Sequence, residues 1–330
     1  MKNNRDEYRT LELSTQILIK EALRRKISVE VLDEKDNLIR IKKDGKTEYI
    51  KQATRTSADN YIAPLLMENK EVTKLILREA GIRVPEGITV TSIAEAEKLL
   101  NEYANQNIVV KPKSTNFGKG VAILKNARKQ DILNAVQDAL HYDDHVLIES
   151  FLEGKEYRFL VIGDEVAAIL HRVPANVTGD GMHTIKELVA IKNDDPLRGI
   201  GYVTPLEKIN LGKIETDYLA LAGKSEDTIP QGNETVWLRE NSNISTGGDS
   251  IDFTDDIPQA YQDIAVRSAG AVGAQICGAD IIIQDITQQP NDGNYGVIEL
   301  NFNPAIHIHD FPYRGKNRHV EDKVLDLLGF

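Results

Sequence analysis

The stretch Val109-Val110-Lys111-Pro112-Lys113-Ser114-Thr115-Asn116-Phe117-Gly118-Lys119-Gly120-Val121 constrains the fold most, because it reads as a strand, a glycine loop and a second strand. A Walker loop closes on a helix through Gly-Lys-Ser/Thr, and that ending is absent here, so a P-loop is excluded. What remains is a hairpin whose glycines expose backbone amides. Lys111, Lys113, Lys119 and Lys125 supply positive charge, with no acid between Ile108 and Lys125. Such a flap suits closure over a nucleotide phosphate; the plainer alternative is a basic hairpin whose glycines serve only the turn.

The flap sits inside a βαββαβ pattern. Residues 87–91 are extended, Ser92-Ile93-Ala94-Glu95 reads as a capping box opening a helix, and 108–111 and 121–124 are strands. A helix with Ile132, Val136, Ala139 and Leu140 on one stripe leads to a strand over 146–149. Upstream, residues 11–23 have helical spacing, 28–32 and 38–41 alternate as strands, and Asp44-Gly45 opens a third. Residues 69–80 form a helix stopped by Gly81. Downstream come a hairpin over 157–162 and 166–170, a helix over 258–277, and strands over 280–286 and 295–300. Residues 179–233 show one helix, 185–192, and otherwise no clear pattern. The expectation is an α/β (α+β) chain in three parts: a small N-terminal α/β domain over 1–65, a nucleotide-flap subdomain over 66–150 and a catalytic subdomain over 151–330.

Composition narrows the class. Forty basic against fifty-one acidic residues give a net charge of -11, which disfavours nonspecific nucleic-acid or anionic-membrane binding. Cys277 is the only cysteine, which excludes an intramolecular disulfide and a thiolate metal cluster and fits a reducing compartment. The N-terminus is polar and no apolar run approaches the ~20 residues of a membrane span, so a cytoplasmic protein is expected.

A second constellation lies near the C-terminus. Asp280 opens one strand, while Glu299 and Asn301 close another with both side chains on one face. Oxygen donors on neighbouring strands suit Mg²⁺ beside substrate phosphates; the alternative is a satisfied buried acid. Residues 149–156 mix carboxylates with Phe151 and Leu152, as a purine hinge or a plain linker would. His307, His309, Asp310 and His319 could hold a transition metal, but substrate contact or surface polarity is preferred. Trp237 is expected to pack, and residues 249–256 to form a solvated acidic loop with a helix cap.

Asn69-Lys70, Val110-Lys111-Pro112, the loop over 114–121, the segment 149–156, Leu170-His171-Arg172-Val173-Pro174, Leu238-Arg239 with 243–248, and Glu299-Leu300-Asn301-Phe302-Asn303-Pro304 together resemble the ATP-grasp carboxylate-amine ligases. The resemblance is nearest to the C-terminal, glutathione synthetase half of bifunctional glutamate-cysteine ligase/glutathione synthetases, with cyanophycin synthetase next, and spans nearly the whole chain. It implies an ATP-grasp fold in which two α/β subdomains grip ATP. Lys70 and Lys111 then match phosphate lysines, and Asn116, Gly118, Lys119 and Gly120 the flap. Glu149, Phe151 and Leu152 match the adenine hinge, and Glu156 the ribose contact. Asp280, Glu299 and Asn301 match the Mg²⁺ ligands, with Asp285 as a rival for the first position. Arg172 and Arg239 match the arginines facing the transferring phosphoryl group, and residues 245–248 add amide donors.

The implied activity is peptide-bond formation through an acyl phosphate, joining γ-glutamylcysteine to glycine with ATP and Mg²⁺ or Mn²⁺. Other amino-acid or peptide ligase activity of the cyanophycin synthetase type, or a non-catalytic nucleotide-binding module, stand as alternatives. Partners are expected to be small molecules, with a homodimer allowed. The bifunctional relatives carry a glutamate-cysteine ligase for which there is no room before Leu11, so a free-standing relative or an excised half is expected.

Overall fold

The computed structural model describes residues 8–113 and 120–330. Helix α1 (Leu13–Arg24) buries Ile17, Leu18 and Ala22 along one side, and Arg24 and Arg25 close on Glu21 at its end. Strands β1 (Ser28–Asp33), β2 (Leu38–Lys43) and β3 (Lys46–Lys51) follow as an antiparallel meander. Asp44 and Gly45 are both left-handed, at φ 49° and 83°, which is the backbone a two-residue hairpin turn needs. The apolar side of this piece does not form a core of its own. Ile39, Ile41 and Ile50 pack in one cluster with Leu160, Ala168 and Ile276 of the large sheet and Val324 near the C-terminus.

Helices α2 (Ile62–Glu68) and α3 (Lys70–Glu79) come next, α3 capped by the Asn69 side chain, which accepts from Val72 N at 3.3 Å. Met67, Leu77, Ile82 and Val84 pack with Phe159, Tyr261 and Cys277, so the expected boundary at residue 66 falls inside α2, in the core of the C-terminal sheet. The layer with its own core starts later. It comprises β4 (Gly87–Val90), α4 (Ile93–Tyr103), β5 (Ile108–Pro112), β6 (Ala122–Leu124), α5 (Lys129–Leu140) and β7 (Val146–Ser150). Its antiparallel sheet has the order β4-β7-β5-β6 and buries Val90, Ile108, Val110, Val136 and Ile148 under the two helices. The capping box is displaced by one residue: Ser92 accepts from Glu95 N, while Glu95 reaches back to Thr91 N at 2.7 Å.

Strands β8 (Lys155–Ile162) and β9 (Glu165–Val173) form a hairpin. A satellite layer then contains β10 (Asn176–Thr178), α6 (Ile185–Asn193), β11 (Arg198–Gly199), β12 (Leu206–Glu207), α7 (Lys213–Leu221) and β13 (Thr235–Trp237), with its own small core of Val177, Ile185, Leu219, Val236 and Leu238. The chain returns through β14 (Asp249–Asp252), α8 (Gln259–Ala271), β15 (Ile276–Ile283), β16 (Tyr295–Asn301), α9 (His307–Asp310) and α10 (Val320–Leu327). The resulting five-stranded antiparallel sheet has the order β14-β9-β8-β15-β16. Alternation along its strands sends Tyr157, Phe159, Cys277 and Ala279 to the α8 side, and Arg158, Leu160 and Asp280 to the other.

Several expectations are corrected. The helix over 258–277 stops at Ala271, because Gly273 turns left-handed at φ 72° and Cys277 already belongs to β15. Asp280 therefore lies within a strand rather than opening one. The acidic stretch 249–256 is not a solvated loop at its start: Asp249 is buried in β14 against Lys192 and Arg198, and Asp252 accepts from Arg318. Cations from distant segments make that burial tolerable. Trp237 is 44% exposed at the end of a three-residue strand, so it is not a core residue. His307 and His309 are buried, not surface, with His307 Nδ1 2.8 Å from Ser14 Oγ. Burial pushes their imidazoles down to about 4 and about 3, so both rings are neutral near pH 7. Among the described residues no helix is long and apolar enough to cross a membrane.

Candidate active site

Strand β5 delivers Lys111 and β7 delivers Glu149 to the edge of the flap layer that faces α3. Glu149 is 3% exposed, and its two oxygens meet two ammonium groups: Lys111 Nζ at 2.8 Å on Oε2 and Lys74 Nζ on Oε1. One helical turn before Lys74, Lys70 Nζ lies 3.5 Å from Glu299 Oε1 on β16. Helix α3 thus spaces two lysines four residues apart so that one addresses the flap layer and the other the tip of the large sheet.

The electrostatics follow from this sharing. Burial pulls Lys74 down to about 7, and the neighbouring Lys111 pulls the same way, while Glu149 opposes both. Lys111 is also buried, but Glu149 and then Glu299 outweigh the desolvation and hold it above its ordinary value. Burial would raise Glu149; the two ammonium groups overcome it and keep the carboxyl below the usual range.

On the large sheet, Asp280 stands opposite Arg158 on β8 and Glu299 on β16. Arg158 grips it with both ends of its guanidinium, Nη2 at 2.8 Å from Oδ2 and Nε on Oδ1. Arg172 Nη2 reaches Oδ2 at 3.1 Å and Asn301 Nδ2 reaches it at 3.3 Å. Arg172 also pairs with Glu156, whose second oxygen accepts from Ser242 Oγ. Desolvation would raise Asp280, which is fully buried, but Arg158 and Arg172 hold it ionised below its normal range.

The residues expected from the sequence therefore separate. Lys70, Lys111, Glu149 and Glu299 converge, and Arg172, Glu156, Asp280 and Asn301 form a contiguous second group. Arg239 belongs elsewhere in the described contacts, paired with buried Glu215 of α7. Asp285 lies beyond the end of β15, where it accepts from Thr287 N at 2.9 Å, and the residue opposite Glu299 is Asp280. Phe151 and Leu152 join β7 to β8; Phe151 N donates to Asn107 O at 2.9 Å, and a Cβ on Gly296 would collide with Leu152 Cδ1. Lys125 sits 5.9 Å from the Phe151 ring centroid. Gly120 is left-handed at φ 71°, and a Cβ there would lie 2.8 Å from Pro112 and Tyr142. Asn116, Gly118 and Lys119 lie outside the described residues. In the stretch 245–248, a Cβ on Gly247 would come 2.7 Å from Ile209, and one on Gly248 2.8 Å from Val173 O. Close backbone approach explains both glycines.

Sequence reasoning missed Lys74 and Arg158. The signal for Lys74 was its i,i+4 spacing from Lys70 on one helix; for Arg158, its i,i+2 spacing from Glu156 on one strand.

As a metal site, the group fits in part. Both Asp280 oxygens face guanidinium groups, a poor setting for a direct cation ligand, whereas Glu299 is 31% exposed and, with Asn301, offers oxygen donors at the strand tip. Among the described residues no three His, Cys, Asp or Glu side chains converge as a preformed metal cluster. That suits an ion completed by substrate phosphates rather than by a protein cage.

Residues 9–62 match the ATP-grasp-like domain family, and residues 68–175 match the ATP-grasp (A) domain of phosphoribosylglycinamide synthetase. The chain is 56% identical over 322 residues to the glutathione biosynthesis bifunctional protein GshAB of Clostridium perfringens, covering 97% of this chain and 41% of that protein. It is 52% identical over 323 residues to that of Desulfotalea psychrophila, covering 98% and 42%. A crystal structure of a bifunctional glutathione synthetase from Pasteurella multocida superimposes with a TM-score of 0.77 at 45% identity, over 98% of this chain and 45% of that one. The chain thus spans less than half the length of the relatives it matches. The chain thus carries ATP-grasp domain matches over residues 9–62 and 68–175 and is similar to the C-terminal part of bifunctional glutathione-biosynthesis proteins.

Proposed function

We propose that the chain is an ATP-dependent carboxylate-amine ligase that joins γ-glutamylcysteine to glycine. The observation that carries this reading is the bridge made by helix α3 between the two layers: Lys74 and Lys111 share Glu149 of the flap layer, and Lys70, one turn before Lys74, lies 3.5 Å from Glu299 of the large sheet. The similar proteins are named for glutathione biosynthesis, and that suggests the substrate class.

A carboxylate oxygen attacking the γ-phosphorus of ATP brings two anions together, and ADP must leave in line. Lys70 and Lys111 neutralise phosphate charge on one side, and Arg172 does so on the other. Arg158 keeps Asp280 ionised and oriented, so Asp280 in turn positions Arg172. Glu299 and Asn301 would hold Mg²⁺, which supplies charge neutralisation to the phosphates when bound. The amine nitrogen of the acceptor then attacks the acyl carbon and phosphate departs. Glu156 and the 151–152 linker would receive the nucleoside. No enzyme nucleophile takes part; Cys277 is buried and its thiol is pushed up to about 12 by that burial. The cytoplasm, where ATP and a reduced thiol substrate coexist, is the proposed setting.

A coupled assay for ADP tests the reading. ADP release should require γ-glutamylcysteine and glycine together. Release independent of both substrates would refute it, and turnover of non-thiol donors across an amino-acid panel would move the assignment to a different peptide ligase.

A further inference from the structure

Residues 179–233, for which the sequence offers little pattern, contribute two cations to the edge of the large sheet. Lys192 on α6 and Arg198 on β11 both end on Asp249 of β14, with Lys192 Nζ 2.7 Å from Oδ2 and Arg198 Nη2 on Oδ1. The same two groups lie against one aromatic ring, Tyr313: Lys192 Nζ is 5.5 Å and Arg198 Cζ 5.8 Å from its centroid. A third cation, Arg314, lies 5.8 Å from that centroid. Among the described residues, Asp249 is the one carboxylate paired with this trio, and Arg314 has no ion-pair partner.

The cluster therefore carries more positive than negative charge, and part of it is buried. The Arg198 side chain is 0% exposed, and its Nε has no hydrogen-bond partner. Burial pulls Lys192 below its ordinary value despite Asp249, and Arg198 and Arg314 add repulsion. A tyrosine face offsets a nearby cation by only ~0.5–1 kcal/mol at an exposed site, so the ring does not neutralise three.

The place is close to the chemistry. Tyr313 N donates to Ser250 Oγ at 3.2 Å, and Ser250 stands opposite Arg172 in the β14–β9 register. Asp249, which anchors Lys192 and Arg198, is the next residue on that strand. A guanidinium fork at the exposed rim, backed by a buried guanidinium and an ammonium, matches a planar carboxylate.

We infer that Arg314, Lys192 and Arg198 around Tyr313 form a subsite for the non-reacting carboxylate of a peptide or amino-acid substrate. This inference rests on the ligase reading and deepens it. Two substrates could supply the group: the glutamyl α-carboxylate of γ-glutamylcysteine, or the carboxylate of glycine.

The test uses the full chain and Arg314→Ala, an exposed position at which truncation does not open the core. In the donor arm, wild type and variant are compared on γ-glutamylcysteine and on its glutamyl α-amide. In the acceptor arm they are compared on glycine and glycinamide. Wild type should prefer the carboxylate form by about tenfold or more in kcat/KM in one arm, and R314A should erase that preference while the KM for ATP stays within about twofold. The arm in which the preference vanishes identifies the source. Preferences intact in both arms for R314A overturn the subsite. Equilibrium binding of γ-glutamylcysteine and of glycine, each without ATP, separates this from the wider reading. If wild type binds one of them, R314A weakens that binding tenfold and no ADP is released, the subsite stands and the ligase reading falls. Binding of both unchanged by R314A overturns the subsite whatever the turnover.

Discussion

The two charge clusters of the cleft are built on different principles. On the flap side, Lys70, Lys74 and Lys111 share two carboxylates, Glu149 and Glu299, and the groups come from α3, β5, β7 and β16. On the sheet side, Arg158 and Arg172 enclose Asp280 within neighbouring strands of one sheet. Lysines are compact charges whose protonation responds to burial, and this cluster shows it: Lys74 is driven down to about 7 while Lys111 is driven up. Arginines stay charged whatever surrounds them and fix orientation through a fork. The lysine side joins three lysines to two carboxylates and, on the proposed reading, is the side that receives phosphate charge. On the closed, arginine side Asp280 and Glu156 fix the Arg172 guanidinium in the place from which it would face a phosphate. One cluster is arranged to receive charge and the other to keep geometry.

Three substitutions would break or sharpen that contrast. Glu299→Gln removes the exposed carboxylate on the receiving side. Its turnover should fall by about 10² to 10³, the loss typical of one preorganised electrostatic group, with the denaturation midpoint unchanged. A fully active E299Q would mean that the strand tip has no part in the chemistry.

Arg158→Met acts on the closed side, where it strands a fully buried Asp280 carboxylate. Breaking a buried pair from one end costs about 3–5 kcal/mol, so denaturant unfolding should show a loss of that size, larger than any effect on KM for ATP. A loss below about 1 kcal/mol would show that Arg172 alone suffices to hold Asp280.

The smallest effect is expected at Lys74→Met and appears as pH dependence. With Lys74 near 7 in the folded chain and near 10.5 when unfolded, the unfolded state binds more protons between those values. Stability contributed against folding by this group is therefore at its worst below pH 7, and is relieved as pH rises toward 10.5. The K74M unfolding midpoint should vary less between pH 7 and pH 9.5 than that of wild type. Equal slopes would place the shared proton on Lys111 instead.

Much of the local structure could be read without coordinates. The β1–β3 meander, the α3 helix stopped at Gly81, the βαββαβ succession of the flap layer and the β8–β9 hairpin follow from alternation, turn residues and stop signals that act within a few residues. Lys70, Lys111 and Glu299 stood out as candidates because the segments that carry the resemblance are short. The end of α8 was misplaced because an apolar run with glycines suits a buried helix and a buried strand alike, and the left-handed Gly273 decides between them. Asp249 was misjudged because its burial depends on Lys192 and Arg198, at |i−j| of 57 and 51. Spacing set Lys74 beside Lys70 and Arg158 beside Glu156, but their partners could not be read, because each is defined by a carboxylate 75 or 122 residues away.

The amino-acid order alone carried the resemblance to ATP-grasp ligases: a cationic glycine loop between strands, arginines after the hairpin, and a Glu-Leu-Asn strand tip are all short-range patterns. Packing settled which charges neutralise one another, that residues 8–65 and 66–84 share cores with the C-terminal sheet, and that Lys192 and Arg198 of the 179–233 stretch end on Asp249 at the sheet edge. The division has a physical cause. Backbone preference and alternation act over a few residues, whereas the Coulomb energy of a buried ion depends on what folding brings within about 4 Å of it, and only the assembled layers decide that.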